Sequence, residues 1–252
     1  MLPLYYQGLQ TFLLIVDPNT YFCLPMALIL GIETATEVCS VALSKNGKCL
    51  AEHNNFEGNS HAAQLHVMVD KLLQEAGFTL NDLQAIAVSK GPGSYTGLRV
   101  GVSAAKGYAF ALQIPLIAVS SLDGLSEQAA KQITEPKALL VPMIDARRME
   151  VYTCVSEMNG KEINPVSAQI INETSFLNLL GSNQMYFFGN GSEKCQAIIN
   201  HENAVFMPNI VCRAKGLMPL AEIAFQNNAF ENTAYFEPFY LKDFVSTNPK
   251  KK

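Results

Sequence analysis

The 252-residue sequence contains no tryptophan, only four histidines and no C-x-x-C pair among its six cysteines. The cysteines therefore lack zinc-site spacing and are expected to be reduced core residues. The motifs H-E-x-x-H and G-x-S-x-G are also absent, which excludes the usual zinc-peptidase helix and the nucleophile elbow. A formal net charge of −4 and the lack of tryptophan argue against a module that binds nucleic acid unaided, since such modules have a basic face.

Basic residues are missing from the first 25 positions, so this segment lacks the positive start of a secretory signal. Its apolar run, residues 12–16, is too short to span a bilayer. We expect residues 1–25 to be a leader outside the fold, with Met26 as the natural start. An extra strand is the alternative. The terminal run Lys250–Lys252 is expected to be a solvated tail.

Two parts of the chain repeat the same pattern. An apolar run ends in Glu33, a short turn and a second strand follow, and the next turn is Asn46-Gly47. The same order returns with Asp145 and ends at Asn159-Gly160. Asn-Gly between two alternating runs is a strong hairpin signal. The repeat predicts two copies of one α/β unit.

Helical and strand-like segments alternate after each hairpin, which predicts a mixed sheet with helices on its faces. The segments after the first hairpin are residues 60–76, 85–89, 96–113 and 116–119, and those after the second are residues 174–180, 185–188, 193–200 and 214–226. Two such units, each with an acid at its first hairpin, resemble the actin, Hsp70 and sugar-kinase superfamily (ASKHA, with ribonuclease H-like lobes). In that superfamily the paired hairpins hold nucleotide phosphates between two lobes. We predict an N-terminal actin-like lobe at residues 26–123 and a C-terminal one, with the basic tail, at residues 124–252.

The stretch Gly91–Arg99 follows one of the predicted strands and opens a long apolar helix pattern. Its glycines and proline predict a tight turn in which Ser94 or Thr96 caps the helix. Free amides at a helix start hold anions well, so the loop is a candidate anion or nucleotide rim. The alternative is a sharp turn that packs the helix close to the sheet. The candidate rim residues are Gly91, Gly93, Ser94, Tyr95, Thr96, Gly97 and Arg99.

The two hairpins are degenerate phosphate sites. Superfamily ATPases carry Asp-x-Gly at the first hairpin, whereas this chain has Glu33-Thr34-Ala35, so close backbone approach to phosphate is lost. We predict no cofactor of its own and no independent ATP hydrolysis. The alternative role for both acids is structural, accepting hydrogen bonds from the turn. The hairpin candidates are Glu33, Thr34, Thr36, Asp145, Arg147 and Arg148.

The histidines do not form a metal site. His61 and His66 are five residues apart, so on a helix they point about 140° away from each other. Chelation from one helix face needs a spacing of four, as in H-E-x-x-H. We therefore predict neither a metal site nor a catalytic residue.

The helix pattern at residues 96–113 is apolar on two sides. One stripe packs on the sheet, and the second, made of small residues, needs another helix beside it. The helix has one polar strip, formed by Arg99, Ser103, Lys106 and Gln113. That helix is either the chain's own segment 60–76, the commoner case, or a helix of another subunit. The residues predicted to form a partner interface are His66, Val67, Val100, Ala104, Gly107 and Ala111.

Four segments resemble the TsaB (YeaZ) family. They are Gly91–Arg99, Gly31–Thr36, Asp145–Tyr152 and Glu237–Leu241, and the resemblance covers Met26 to about Asp243. The resemblance implies a two-lobe actin-like fold, a cytoplasmic location and no membrane association. It also implies a non-catalytic role beside the catalytic subunit TsaD, with the small ATPase TsaE joining them. TsaD transfers a threonylcarbamoyl group to the tRNA adenosine beside the anticodon.

Three functions of different classes stay open from the sequence. They are a TsaD assembly and activation partner, an ATPase or sugar-kinase-like enzyme with its own interlobe site, and an independent tRNA-binding module. The motifs favour the first, since the Asp-x-Gly turn and a basic face are both absent. If the chain is a TsaD partner, two points stay open: whether it forms a homodimer when alone, and whether a nucleotide binds at the subunit boundary.

Overall fold

The computed structural model describes residues 27–57 and 61–242. The predicted leader and the basic tail lie outside these residues. Within them the chain forms two five-stranded mixed sheets. The strands of the first sheet are β1 (Leu28–Glu33), β2 (Cys39–Lys45), β3 (Lys48–Asn55), β4 (Ala85–Gly91) and β5 (Leu116–Ser120). The strands of the second are β6 (Leu139–Asp145), β7 (Glu150–Glu157), β8 (Glu162–Ile170), β9 (Met185–Phe188) and β10 (Ala204–Met207).

The two sheets have the same topology. Their strand orders are β3-β2-β1-β4-β5 and β8-β7-β6-β9-β10, so each strand of the first sheet has an equivalent five strands later in the second. In each sheet the first three strands are antiparallel and the remaining pairings are parallel. The sheets confirm the predicted repeat and the two-lobe actin-like fold class. Both predicted Asn-Gly turns connect antiparallel strands, and positive φ values of 55° and 69° at Asn46 and Gly47 suit the first.

Helices cover both faces of the first sheet. The helices of the described chain are α1 (His61–Ala76), α2 (Tyr95–Leu112), α3 (Ser121–Ala130), α4 (Leu177–Leu180), α5 (Glu193–Gln196) and α6 (Ala214–Gln226). Alternate side chains of β1 point to opposite faces, so Leu30 packs with α1 and α2 while Ile29 packs with α6. Because both faces are covered, all six residues of β1 are buried.

Helix α6 follows the second sheet in the chain but packs on the first. Its buried residues Ala214, Leu217 and Met218 lie against Ile29 and Ile117. Helix α3 packs mainly on the second sheet and crosses α6 so closely that a Cβ on Gly216 would lie 2.3 Å from the Gly124 oxygen. The α3–α6 pair therefore joins the two halves of the molecule, and the predicted lobe limits stay a prediction.

Some local predictions are wrong. Segment 174–180 was expected to be a helix, but only the four residues of α4 are helical, after Phe176 at φ 66°. Strand β10 and helix α3 were not predicted. Four of the five described cysteines are buried as expected, whereas Cys49 is exposed on edge strand β3. In the described part of the chain, no helix is long and apolar enough to cross a membrane.

Candidate functional site: an open helix groove beside an interlobe cleft

The loop between β4 and α2 is a close contact between two protein segments. Ser94, and not Thr96, caps α2: its Oγ accepts a hydrogen bond from Gly97 N at 3.3 Å. Ser94 N donates to the Ala35 oxygen at 2.7 Å. A Cβ on Gly93 would lie 2.4 Å from that same oxygen. Only glycine at position 93 allows the loop to pack this closely on the turn after β1, which agrees with the alternative of a sharp packing turn. The role of the loop as an anion rim stays a prediction.

Glu33 is a buried structural carboxyl at the end of β1. Its Oε1 accepts hydrogen bonds from Ala35 N and from Ser89 Oγ, each at 2.7 Å. Burial raises the pKa of Glu33 to about 7, although these hydrogen bonds act in the opposite direction. Thr34 Oγ1 donates to the Gly97 oxygen at 2.8 Å. Glu33 and Thr34 are therefore hydrogen-bonded to protein groups of the turn itself, of the following helix start and of β4.

The second turn is held by a lysine of helix α5. Lys194 Nζ forms an ion pair with Asp145 and donates to the carbonyl oxygens of Arg148 and Glu150, each at 2.7 Å. Asp145 Oδ1 also accepts from Arg147 N at 2.9 Å. The ammonium supplies positive charge at this turn. Arg147 and Arg148 have positive φ values of 71° and 50°, so both lie in the left-handed region.

A cleft of about 630 Å³ lies between the two turns. Its polar lining includes Thr36, Ser94, Tyr95, Thr96, Arg147 and Asn190. Asn190 spans the cleft: its Nδ2 donates to Glu37 at 2.7 Å, and its Oδ1 accepts from Asp145 N at 3.1 Å. Glu33 and Asp145 are engaged by protein groups, whereas Thr36 Oγ1 is buried and has no hydrogen-bond partner among the described residues. The absence of a nucleotide from this cleft therefore stays a prediction.

The histidines are separated as their spacing predicts. His61 Nε2 lies 2.9 Å from the Thr36 oxygen, whereas His66 Nδ1 lies 2.7 Å from the hydroxyl of Tyr108. Within residues 27–57 and 61–242, no three His, Cys, Asp or Glu side chains are grouped to hold a metal ion.

Helices α1 and α2 border an open groove of about 740 Å³. It is lined mainly by apolar residues and includes five predicted interface residues: His66, Val100, Ala104, Gly107 and Ala111. Gly107 and Ala111 are exposed, and a Cβ on Gly107 would meet nothing within 4 Å. The expectation that the chain's own α1 covers this stripe is therefore wrong for these residues.

Val67 and Phe110 extend the apolar surface beyond the groove. The sixth predicted residue, Val67, does not line the groove, and it is 66% exposed on α1. Phe110 on α2 is 73% exposed and was missed, because it falls in the strip of Arg99, Ser103 and Lys106 that the sequence marks as polar. The helical repeat could have predicted its place, because residues three apart, such as Gly107 and Phe110, are neighbours on a helix surface. Exposed aromatic side chains are enriched at protein interfaces.

Comparisons with known proteins identify the family of the chain. The sequence model of the TsaD family, tRNA N6-adenosine threonylcarbamoyltransferase, matches residues 52–251. The chain is 30% identical to the Escherichia coli tRNA threonylcarbamoyladenosine biosynthesis protein TsaB over 86% of this chain and 96% of that protein. For the Haemophilus influenzae TsaB the values are 29%, 86% and 94%.

The fold comparison gives the same family. The solved structure of YeaZ from Pseudomonas aeruginosa superposes with a TM-score of 0.75 and 29% identity, and the match covers 86% of this chain and all of that one. The sequence and the fold thus agree over most of the chain. The chain belongs to the TsaB family of two-lobe, actin-like proteins.

Proposed function

We propose that this chain is the non-catalytic assembly and activation partner of a TsaD-type transferase in the cytoplasm. The pair would form threonylcarbamoyladenosine in tRNA beside the anticodon. The observation that carries the proposal is the open apolar groove of α1 and α2 with its exposed small residues. Support also comes from the names of the TsaB relatives, which refer to biosynthesis of this modified nucleoside.

The occupant of the groove is the helix pair of the catalytic paralogue. The TsaD family model matches residues 52–251, a range that includes both groove helices. A TsaD-type protein is therefore expected to have an equivalent pair of helices on an equivalent sheet. Two such pairs can pack face to face in a pseudo-symmetric four-helix contact. Val100, Ala104 and Gly107 present little side-chain bulk, so the partner helix can approach closely.

The filled turns support a role without chemistry of its own. Glu33 is committed to Ala35 and Ser89, and Asp145 is committed to Lys194. Both carboxyl groups are thus engaged by groups of the protein itself. The proposal therefore assigns catalysis to TsaD. TsaE joins the pair, any nucleotide lies at the boundary between subunits, and a homodimer uses the same groove when the partner is absent.

Glutamate substitutions in the groove test the proposal. Ala104→Glu and Gly107→Glu place a charge where close contact is expected. A buried unpaired charge costs several kcal/mol, which is enough to abolish a micromolar complex of about 8 kcal/mol. We expect both variants to lose co-elution with purified TsaD on a sizing column. The matched control is Ala197→Glu, at an exposed alanine of the second lobe, which should still co-elute.

A thermal melt separates docking from folding. A variant that affects docking alone keeps its cooperative unfolding transition and loses only its binding to TsaD. If both folded glutamate variants still co-elute, the groove is not the interface and the proposal is wrong. The competing enzyme function is tested with the chain alone. Magnesium-dependent ATP turnover that is abolished by Glu33→Ala would establish an ATPase with its own interlobe site instead.

A further inference from the structure

The tail motif Glu237–Leu241 lies outside both sheets and outside the groove. It belongs to a segment, residues 231–242, that we call the C-terminal strap. The strap starts at the edge of the first sheet, where Glu231 N donates to the Leu116 oxygen of β5 at 2.8 Å. It then runs beside α2, where Lys106 Nζ donates to the oxygens of Ala234 and Phe236 at 3.2 and 2.9 Å.

The strap next contacts the end of β4 and the start of α2. Phe239 N donates to the Lys90 oxygen at 2.7 Å. The Tyr240 ring packs on Tyr95, with 4.7 Å between the ring centroids, and its hydroxyl accepts from Arg99 Nε at 3.3 Å. Three independent contacts therefore fix this part of the strap to the first lobe.

The end of the described strap reaches the other lobe. Lys242 forms an ion pair with Glu150, the first residue of β7. Tyr240, Leu241 and Lys242 also line the interlobe cleft. The strap thus spans from the first lobe to the second along one side of this cleft.

We propose that the strap is a latch that closes the mouth of the interlobe cleft, with Lys242–Glu150 as its releasable contact. The two side chains are 42% and 22% exposed. A partly exposed ion pair is weak and is screened by salt, so it opens without global unfolding. The first-lobe contacts do not depend on an ion pair and act as the hinge side. The latch does not depend on the identity of the docking partner.

The absence of tryptophan from the chain provides a specific test. Leu241→Trp introduces a single fluorophore between the hinge contacts and Lys242, at a residue that lines the cleft. We expect weak acrylamide quenching at low salt. Adding Glu150→Gln should raise the quenching constant about twofold, since a screened surface ion pair is a small barrier. Salt at about 1 M, where screening is nearly complete, should raise quenching when Glu150 is present and have no effect once Glu150→Gln is introduced.

The matched control is Glu157→Gln on the same strand, which removes the ion pair with Lys161 and does not touch the strap. It should leave quenching unchanged. Hydrogen exchange in the chain with native Leu241 provides a second readout. Glu150→Gln should speed exchange in the strap, where Phe239 N is hydrogen-bonded, and not in the rest of the protein. Unchanged quenching and exchange, or faster exchange throughout the protein with a lower melting temperature, would overturn the latch.

Discussion

Glu33 combines nearly complete burial with an ionisable carboxyl. Neutral donors, among them Ala35 N and Ser89 Oγ, contact it, and no cation is paired with it among the described residues. Without a compensating charge, burial outweighs the hydrogen bonds, so the carboxyl keeps its proton up to a pKa of about 7. The residue therefore couples the stability of the first turn to pH.

The sign of this coupling is testable. Below pH 4.5, Glu33 is protonated in both folded and unfolded chains. Between pH 4.5 and about 7 only the unfolded chain releases the proton. The contribution of Glu33 to the free energy of unfolding therefore falls as pH rises. The shift amounts to about 3 kcal/mol. Urea unfolding across this pH range should show the fall, and Glu33→Gln should remove that part of it. An equally steep pH dependence in the Glu33→Gln variant would contradict the assignment.

Lys194 is the corresponding residue of the second turn. Lys194→Met removes a charged donor from the Asp145 carboxylate and from the oxygens of Arg148 and Glu150. Hydrogen bonds to charged groups are strong, so we expect a loss of about 2 kcal/mol in urea unfolding. Lys137→Met, at an exposed lysine, is the control and should change little. Equal stability of the two variants would show that the turn holds without the ammonium.

Of the three glycines in helix α2, Gly101 and Gly107 have contrasting surroundings. A Cβ on Gly101 would lie 2.1 Å from Thr34 Oγ1, while a Cβ on Gly107 would meet nothing within 4 Å. Both replacements by alanine gain about 1 kcal/mol of helix propensity. Gly107→Ala should therefore be stabilised by up to that amount, whereas Gly101→Ala should be destabilised, because overpacking costs about 1–3 kcal/mol. Thermal melts of the two variants test this. If their melting temperatures shift equally, the turn after β1 moves to accommodate the added methyl group at position 101.

At this scale the sequence predicts what depends on local pattern. Asn-Gly turns and apolar periodicity located both hairpins, and the bounds of β9 and α6 match their predicted segments. The contacts that complete the site depend on residues distant in the chain, such as Lys194 with Asp145 and Asn190 with Glu37. The strap has neither a helical nor a strand-like pattern of apolar residues, so its contacts can be seen only in the structure. Phe110 was missed because a single aromatic residue within a polar strip does not change the pattern of a helix.

The whole molecule is held together by the crossed helices α3 and α6, of which α6 packs outside its own part of the sequence. Helix α6 covers the first sheet, α3 packs on the second, and the two helices cross at Gly124 and Gly216. The core of the first sheet is therefore incomplete until the chain has passed the second sheet. Two lobes joined in this way are expected to unfold together and not one after the other.

Leu217 tests this coupling, since it is fully buried in α6 against the first sheet and would contact a Cβ placed on Gly124 of α3. Leu217→Ala should cost about 3 kcal/mol. The midpoint should fall by about 6–12 °C in a protein of this size. Calorimetry should show one heat-absorption peak that moves as a whole, because both sheets lose the same support. Leu177→Ala, at an exposed leucine, should leave the peak in place. Two peaks, of which only one moves, would show that the lobes unfold independently.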